Sequence, residues 1–162
     1  MDRRLAAFGI ITSEIDGERR FLLRWNQRWE WFNLVGGKYE QTDGDDLRAT
    51  AVREIQDELD LVHNRDFVVD DRPVVKYTTQ DVSRSDGQYK HYCFHIFKVT
   101  LVADPAELLG HLANNPANRW LTAADILARR TGDGFPISYL PRDILLRSGH
   151  IQESAADPSP RD

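Results

Sequence analysis

Three carboxylates crowd one short segment, Arg53-Glu54-Ile55-Gln56-Asp57-Glu58. On a helix, Glu54, Asp57 and Glu58 stand at i, i+3 and i+4 and project from neighbouring points on one face, where each like-charge pair costs about 0.2–0.5 kcal/mol. The spacing lets Arg53 reach Asp57 at i+4 and offset part of that repulsion. A hard divalent cation offsets more. Carboxylate oxygens suit Mg²⁺, with Mn²⁺ as a substitute, and Mg²⁺ keeps several waters and takes further ligands from substrate phosphates. Upstream, Gly36-Gly37 allows the backbone to turn sharply and to approach whatever lies above it. The competing explanation is a solvated charged face, which is the ordinary meaning of such a run.

These groups need a helix to carry them and a sheet to hold the helix. Leu47, Ala51, Ile55 and Leu59 recur every four residues, an apolar stripe that predicts a helix over Leu47 to Leu59. Asp45 or Asp46 can cap its first turn. Before it, Leu5 to Ser13 reads as a buried strand, Asp16-Gly17 as a hairpin turn, and Phe21 to Trp25 as a second strand. An aromatic stretch with Trp25, Trp29, Trp31 and Phe32 follows, and Gly36-Gly37 reads as a break. After the helix, Phe67 to Val69 and Val74 to Thr79 are expected as short strands, with a turn over Ser83 to Gln88. Tyr89 to Leu101 is apolar on both faces, which predicts a strand covered on both sides. A short helix over Pro105 to Leu112, a strand over Arg119 to Leu121, a helix over Ala123 to Arg129 capped by Thr122, and a last helix over Ser138 to Leu146 with Pro141 in its first turn complete the pattern.

The chain has 162 residues, enough for one domain with a sizeable core, expected over residues 1–150. Residues 151–162, ending QESAADPSPRD, read as a disordered tail. The net charge of −5 argues against binding a nucleic-acid duplex, which calls for a basic surface, and against a polybasic membrane anchor. No apolar run is long enough to span a bilayer, and no signal peptide is evident. Cys93 is the sole cysteine, so an intrachain disulfide and a zinc site built on cysteine pairs are excluded. A cytoplasmic setting is the resulting expectation.

The stretch from Gly36 to Leu61 resembles the signature of the Nudix hydrolase family. That pattern is a glycine, five residues, a glutamate, seven residues, then Arg-Glu-apolar-any-Glu-Glu-any-Gly-apolar. Arg53, Glu54 and Ile55 match its core, Asp57 and Glu58 stand at the paired glutamates, Leu61 at the last apolar position, and Gly36-Gly37-Lys38 at the glycine-rich start. Counted back from Arg53, Asp45 takes the place of the first glutamate, as though Thr42-Asp43 were inserted. Asp60 replaces the glycine after the helix. The resemblance, spread over roughly Leu5 to Leu146, implies an α/β fold: an α/β/α sandwich around a central mixed sheet.

The resemblance further implies Mg²⁺-dependent hydrolysis of a nucleoside diphosphate linked to another moiety, with water attacking phosphorus. Arg53, Glu54, Asp57 and Glu58 would form the catalytic set, with Arg53 orienting Glu54 or Asp57. Glu54, Asp57, Glu58, the Gly37 carbonyl and Asp45 would serve the metal, with Asp45 an outer ligand or a holder of Arg53. Gly36, Gly37, Lys38 and Arg24 are the substrate-binding candidates. A homodimer is compatible with the resemblance. The alternative is a weak or inactive domain of this fold that binds a nucleotide or a protein partner.

Other signals are weaker. Trp25, Trp29 and Trp31 could stack on a base, but packing is the better reading for at least two of them. Arg28, like Arg24, is a candidate phosphate contact. His91 and His95 share a strand face without a third ligand in view, and Cys93 reads as a small core residue. Tyr139 and the Gly132–Gly134 loop could close over a substrate.

Overall fold

The computed structural model describes residues 2–82 and 86–153. Its elements in chain order are β1 (Asp2–Ile15), β2 (Glu18–Asn26), β3 (Trp31–Lys38), a 3₁₀ turn (Gln41–Asp43), α1 (Leu47–Leu59), β4 (Phe67–Val69), β5 (Val75–Val82), β6 (Tyr89–Leu101), α2 (Pro105–Ala113), β7 (Asn118–Thr122), α3 (Ala123–Ala128) and α4 (Tyr139–Arg147). Among the described residues these strands form one mixed sheet in the order β4–β6–β1–β3–β2–β7, and β5 also pairs with β6. The β1–β6 pair is parallel and the other ladders are antiparallel.

Both faces of the sheet are covered. On one, Ala51, Ile55 and Leu59 of α1 and Leu108 and Leu112 of α2 pack with Ala7, Ile11, Val35, Phe97 and Val99. On the other, Ile126 of α3 and Leu140, Ile144 and Leu145 of α4 pack with Phe8, Ile10, Phe21, Leu34 and Ile96. The result is the expected α/β/α sandwich. The double covering accounts for the apolar character of both faces of β6.

Three expectations need adjustment. β3 was not anticipated as a strand, because its alternating pattern is obscured by aromatic residues and by the glycine pair. Gly36 and Gly37 are not a break: they lie in the ladder opposite Phe8 and Ala7. Lastly, Ile151 is buried in the core with α4. Residues 154–162 of the expected tail, and Ser83 to Ser85 of the expected turn, lie outside the described residues.

Candidate active site

The acidic face of α1 is built from its ends inward. Asp46 caps the helix, its side chain accepting from Arg48 N at 2.9 Å. Ile55, fully buried, holds the middle of the helix against the sheet. That placement sets Glu54 and Glu58 against β3. A Cβ on Gly37 would lie 2.4 Å from Glu54 Oε1, so any other residue here would push the carboxylate from the position it holds. A Cβ on Gly36 would lie 2.2 Å from the Ala7 carbonyl oxygen. The Gly36 N–H donates to Glu58 Oε1 at 3.1 Å. The glycine pair is thus a floor without side chains under two carboxylates.

Arg53 organises the near end. Its Nε and Nη2 donate to Asp43 Oδ1 and Oδ2 at 2.8 and 2.9 Å, a bidentate pair. Nη1 donates to Glu54 Oε2 at 2.7 Å and Nη2 to the Lys38 carbonyl at 2.9 Å. Asp43 also accepts from Thr50 Oγ1 at 2.8 Å and from Glu40 N at 2.9 Å. Its side chain is 4% exposed. The Arg53 hydrogen bonds outweigh the effect of burial and hold this carboxyl well below the usual carboxylate range. Arg53 in turn is held charged, chiefly by its bond to Asp43.

The far end is unlike this. Glu58 is pushed up to about 7, first by burial and then by the charge of Glu54, against the opposing effects of Arg24 and the Gly36 N–H. Arg24 Nη1 donates to the Glu58 carbonyl oxygen at 3.0 Å and to Asn118 Oδ1 at 2.8 Å. That guanidinium therefore ties the last turn of α1 to β2 and β7, beside the Glu58 carboxylate.

The structure brings Arg53, Glu54, Glu58, Gly36, Gly37 and Arg24 together. Lys38 joins them through its carbonyl, while its side chain is exposed. Asp57 is exposed, and Arg53 turns to Asp43 and Glu54 rather than to Asp57. Asp45 is exposed and does not hold Arg53; Asp43 does. The register explains why. Six residues on from Gly37 is Asp43, the spacing of the signature's first half, so the two extra residues lie between Asp43 and Arg53 and not before Asp45. Counting forward from the glycine would have found Asp43. Counting back from Arg53 passed over it. Glu40, Thr50 and Asn118 were also missed, since their roles depend on loop geometry and strand pairing.

Among the described residues, no three His, Cys, Asp or Glu side chains are grouped so as to hold a metal ion as placed. The donors available are the Glu54 and Glu58 carboxylates and the backbone carbonyls of the glycine floor, with Asp57 outward on the same helix. An oxygen-only set completed by water and phosphate suits Mg²⁺ or Mn²⁺ and not a softer metal.

A family model, NUDIX domain, matches residues 3–142. The chain belongs to the Nudix hydrolase family. Solved structures of Nudix proteins share its fold at low identity. Shewanella oneidensis NrtR, crystallised with a 27mer DNA, aligns at 14% identity with a TM-score of 0.64, over 90% of this chain and 60% of that one. The NUDIX domain of the same NrtR complexed with ADP ribose aligns at 14% identity and TM-score 0.58, over 93% and 88%. A Caenorhabditis elegans Ap4A hydrolase aligns at 18% identity and TM-score 0.57, over 93% and 97%. The chain thus spans about 60% of the DNA-complexed NrtR chain. No functionally curated protein gave a significant match. Among the described residues no helix is long and apolar enough to cross a membrane.

Proposed function

We propose that this Nudix domain hydrolyses a nucleoside diphosphate linked to a second moiety, with Mg²⁺ or Mn²⁺ as cofactor. The observation that carries the reading is the pair Glu54 and Glu58 set over the Gly36–Gly37 floor, with Glu58 pushed up to about 7 by burial and by its neighbour's charge. The chain's own cations leave that pair incompletely compensated, which suits a divalent ion brought with a polyphosphate. When bound, the ion would lower the pKa of a water and neutralise phosphate charge.

The chain's residues have separate tasks in this reading. Glu54 and Glu58 hold the ion, with Asp57 and a glycine carbonyl as further oxygens. Arg53, locked by Asp43, fixes the Glu54 rotamer, and the Gly36 N–H fixes that of Glu58. Arg24 anchors the helix end that carries Glu58. Trp25, Phe32 and Phe135 pack edge to face, with Trp29 stacked on Trp31 at 5.7 Å, at the tip of the β2–β3 hairpin. Phe32 is buried in the core and Arg119 covers the Phe32 and Phe135 rings, so the stacked Trp29 and Trp31, with Tyr139 edge-on to Trp31, supply the flat apolar surface for the organic part of a substrate in this reading. With a lone cysteine and no disulfide to protect, the cytoplasm is the proposed setting.

The test is a panel of ADP-ribose, dinucleoside polyphosphates, nucleotide sugars and nucleoside triphosphates, with Mg²⁺, with Mn²⁺ and with chelator, in ¹⁸O-labelled water. Metal-dependent turnover with label in a phosphate product is expected. Equal rates for wild type and Glu54→Gln would sink the proposal. A second reading, ligand binding without turnover, is favoured by the outward exposure of Asp57, which is one methylene shorter than the glutamate of the signature. Tight, metal-dependent binding of a panel member that is never cleaved would select it.

A further inference from the structure

A cavity of about 500 Å³ opens on the α1-bearing face of the sheet, beyond the first turn of the helix. Its lining includes none of Glu54, Asp57, Glu58, Gly36 or Gly37. Strand register locates it. Gly37 pairs with Ala7, Ala7 with His95, and His95 with Lys76, so one row of the sheet runs from the acidic site into the cavity. At about 4.8 Å per strand, His95 and Lys76 lie roughly 10 and 14 Å from Gly37.

Three basic side chains from three different strands converge there: Arg3 of β1, Lys76 of β5 and His95 of β6. Arg3 donates to Cys93 Sγ at 3.4 Å, and among the described residues none of the three pairs with a carboxylate. Thr78 adds a hydroxyl beside them. Leu5, Leu47 and Tyr39 also line it, with the exposed Asp45. Two cations, Arg3 and Lys76, with a hydroxyl and the His95 imidazole beside them suit a phosphate. The apolar lining suits a flat organic body, and one exposed carboxylate suits a ligand hydroxyl or amino group. The volume lies in the range of small-molecule sites, about 300–1,000 Å³.

We propose that this cavity is a second ligand site, separate from the acidic face, that binds a nucleoside monophosphate: phosphate toward Arg3, Lys76 and Thr78, base against Tyr39 and Leu47, ribose hydroxyls toward Asp45. It is independent of the hydrolase reading, because the ligand carries no diphosphate and the site uses no metal.

Cys93 supplies a local reporter, being the chain's only thiol and part of the lining. The experiment follows iodoacetamide labelling of the full chain in chelator, with AMP, adenosine or inorganic phosphate as probe. AMP is expected to slow labelling saturably, by about fivefold or more at tenfold excess over Kd. Adenosine and phosphate alone should protect far less. Lys76→Gln should leave labelling without AMP unchanged and weaken AMP binding by about tenfold, the loss of one charged contact. Amide shifts on AMP addition should centre on Leu5, Thr78, Cys93 and His95 and persist in Glu54→Gln. The proposal is overturned by unprotected labelling at saturating AMP, by equal protection from adenosine, by an AMP Kd in Lys76→Gln equal to that of wild type, or by shifts that vanish in Glu54→Gln.

Discussion

Asp43, in the turn before α1, and Glu58, in the last turn of α1, are both carboxylates, and their surroundings act on them in opposite directions. Asp43 receives four donors: two from Arg53, one from Thr50 and one from the Glu40 backbone. Glu58 receives the Gly36 N–H, while a like charge stands beside it on Glu54. The first end of the site is complete within the chain. At the second, Arg24 offsets burial and the charge of Glu54 only in part. Such an incompletely compensated carboxylate marks a candidate functional site, and the proposed cation would complete it. The acidic excess has the same location. From Lys38 to Asp60 eight acidic residues face three basic ones, an imbalance equal to the net charge of −5 for the whole chain.

The strongest way to break this comparison is to neutralise the second end. Glu58→Gln or Glu54→Gln should lower Mg²⁺-dependent turnover by about 10³-fold or more, since each removes a charge that the ion would use. Glu58→Gln should nonetheless leave the metal-free fold at least as stable as wild type above neutral pH, because it removes a buried charge in conflict with Glu54. Turnover and chemical denaturation, measured on the same samples, check both halves. A Glu58→Gln protein that is markedly less stable would show that Glu58 serves the fold.

Neutralising the first end should act through structure. Asp43→Asn leaves Arg53 without its bidentate partner, at a cost of about 2–3 kcal/mol for a pair this enclosed. Activity should fall about 10–100-fold, as for a residue that orients a metal ligand, with weaker Mn²⁺ binding in calorimetry. Asp43→Glu should recover part of both. Asp45→Asn should stay within about 0.5 kcal/mol of wild type, as an exposed substitution does. Equal effects at the two positions would undo the register assigned to the insertion.

The pH dependence of stability in chelator gives the two carboxylates opposite signs. Glu58 is raised from 4.5 to about 7 in the fold, so the folded state binds more protons between those values. Stability therefore declines as pH rises from about 4.5 to 7, by up to about 3 kcal/mol and less with solvent screening. Asp43 is depressed, so the unfolded state binds more protons at low pH. Its contribution is full above its ordinary value near 3.8 and is lost as pH falls below it. In Glu58→Gln the decline toward neutral pH should vanish while the acid loss stays. In Asp43→Asn the acid loss should shrink.

The legibility of the site followed the same division. Residues fixed by the helix period could be read: Glu54 and Glu58 on one side, and Ala51, Ile55 and Leu59 beneath. Residues fixed by a loop could not. Asp43 is placed by a 3₁₀ turn and by Gly44, which adopts φ 74°, and no periodicity reports such a path. The fold was legible where hydrophobic runs were long, as in β1 and β6. It was hidden in β3, where Gly36 and Gly37 serve the carboxylates above them and sacrifice the strand signal. Arg24, a candidate for substrate from sequence, also donates to a helix carbonyl, a role set by the pairing of β2 with β7 that no sequence pattern reports.

The smallest expected effect concerns how that helix ends. Asp60 stands where the family pattern has glycine, and it adopts the left-handed conformation, φ 55° and ψ 50°. An aspartate reaches this region at a cost that glycine avoids, and its charge opposes the negative end of the helix dipole. The chain compensates with donors from elsewhere. Arg24 Nη1 bonds the Glu58 carbonyl, and His111 Nε2 lies 3.0 Å from the Leu59 carbonyl, donating in its Nε2–H form. Asp60→Gly should therefore stabilise by about 0.5–1 kcal/mol, seen as a shift in denaturation midpoint without a change in slope. Asp60→Asn keeps a side chain that tolerates the conformation and removes only the charge, so it should recover about 0.3 kcal/mol or slightly more. The two variants separate backbone strain from the dipole effect. Neither should alter turnover by more than about twofold, since the carbonyls of the last turn keep their Arg24 and His111 donors. A larger change in turnover would mean that the Glu58 end depends on how α1 terminates, and the contrast between a finished first end and an unfinished second end would then be partly one of rigidity as well as of charge.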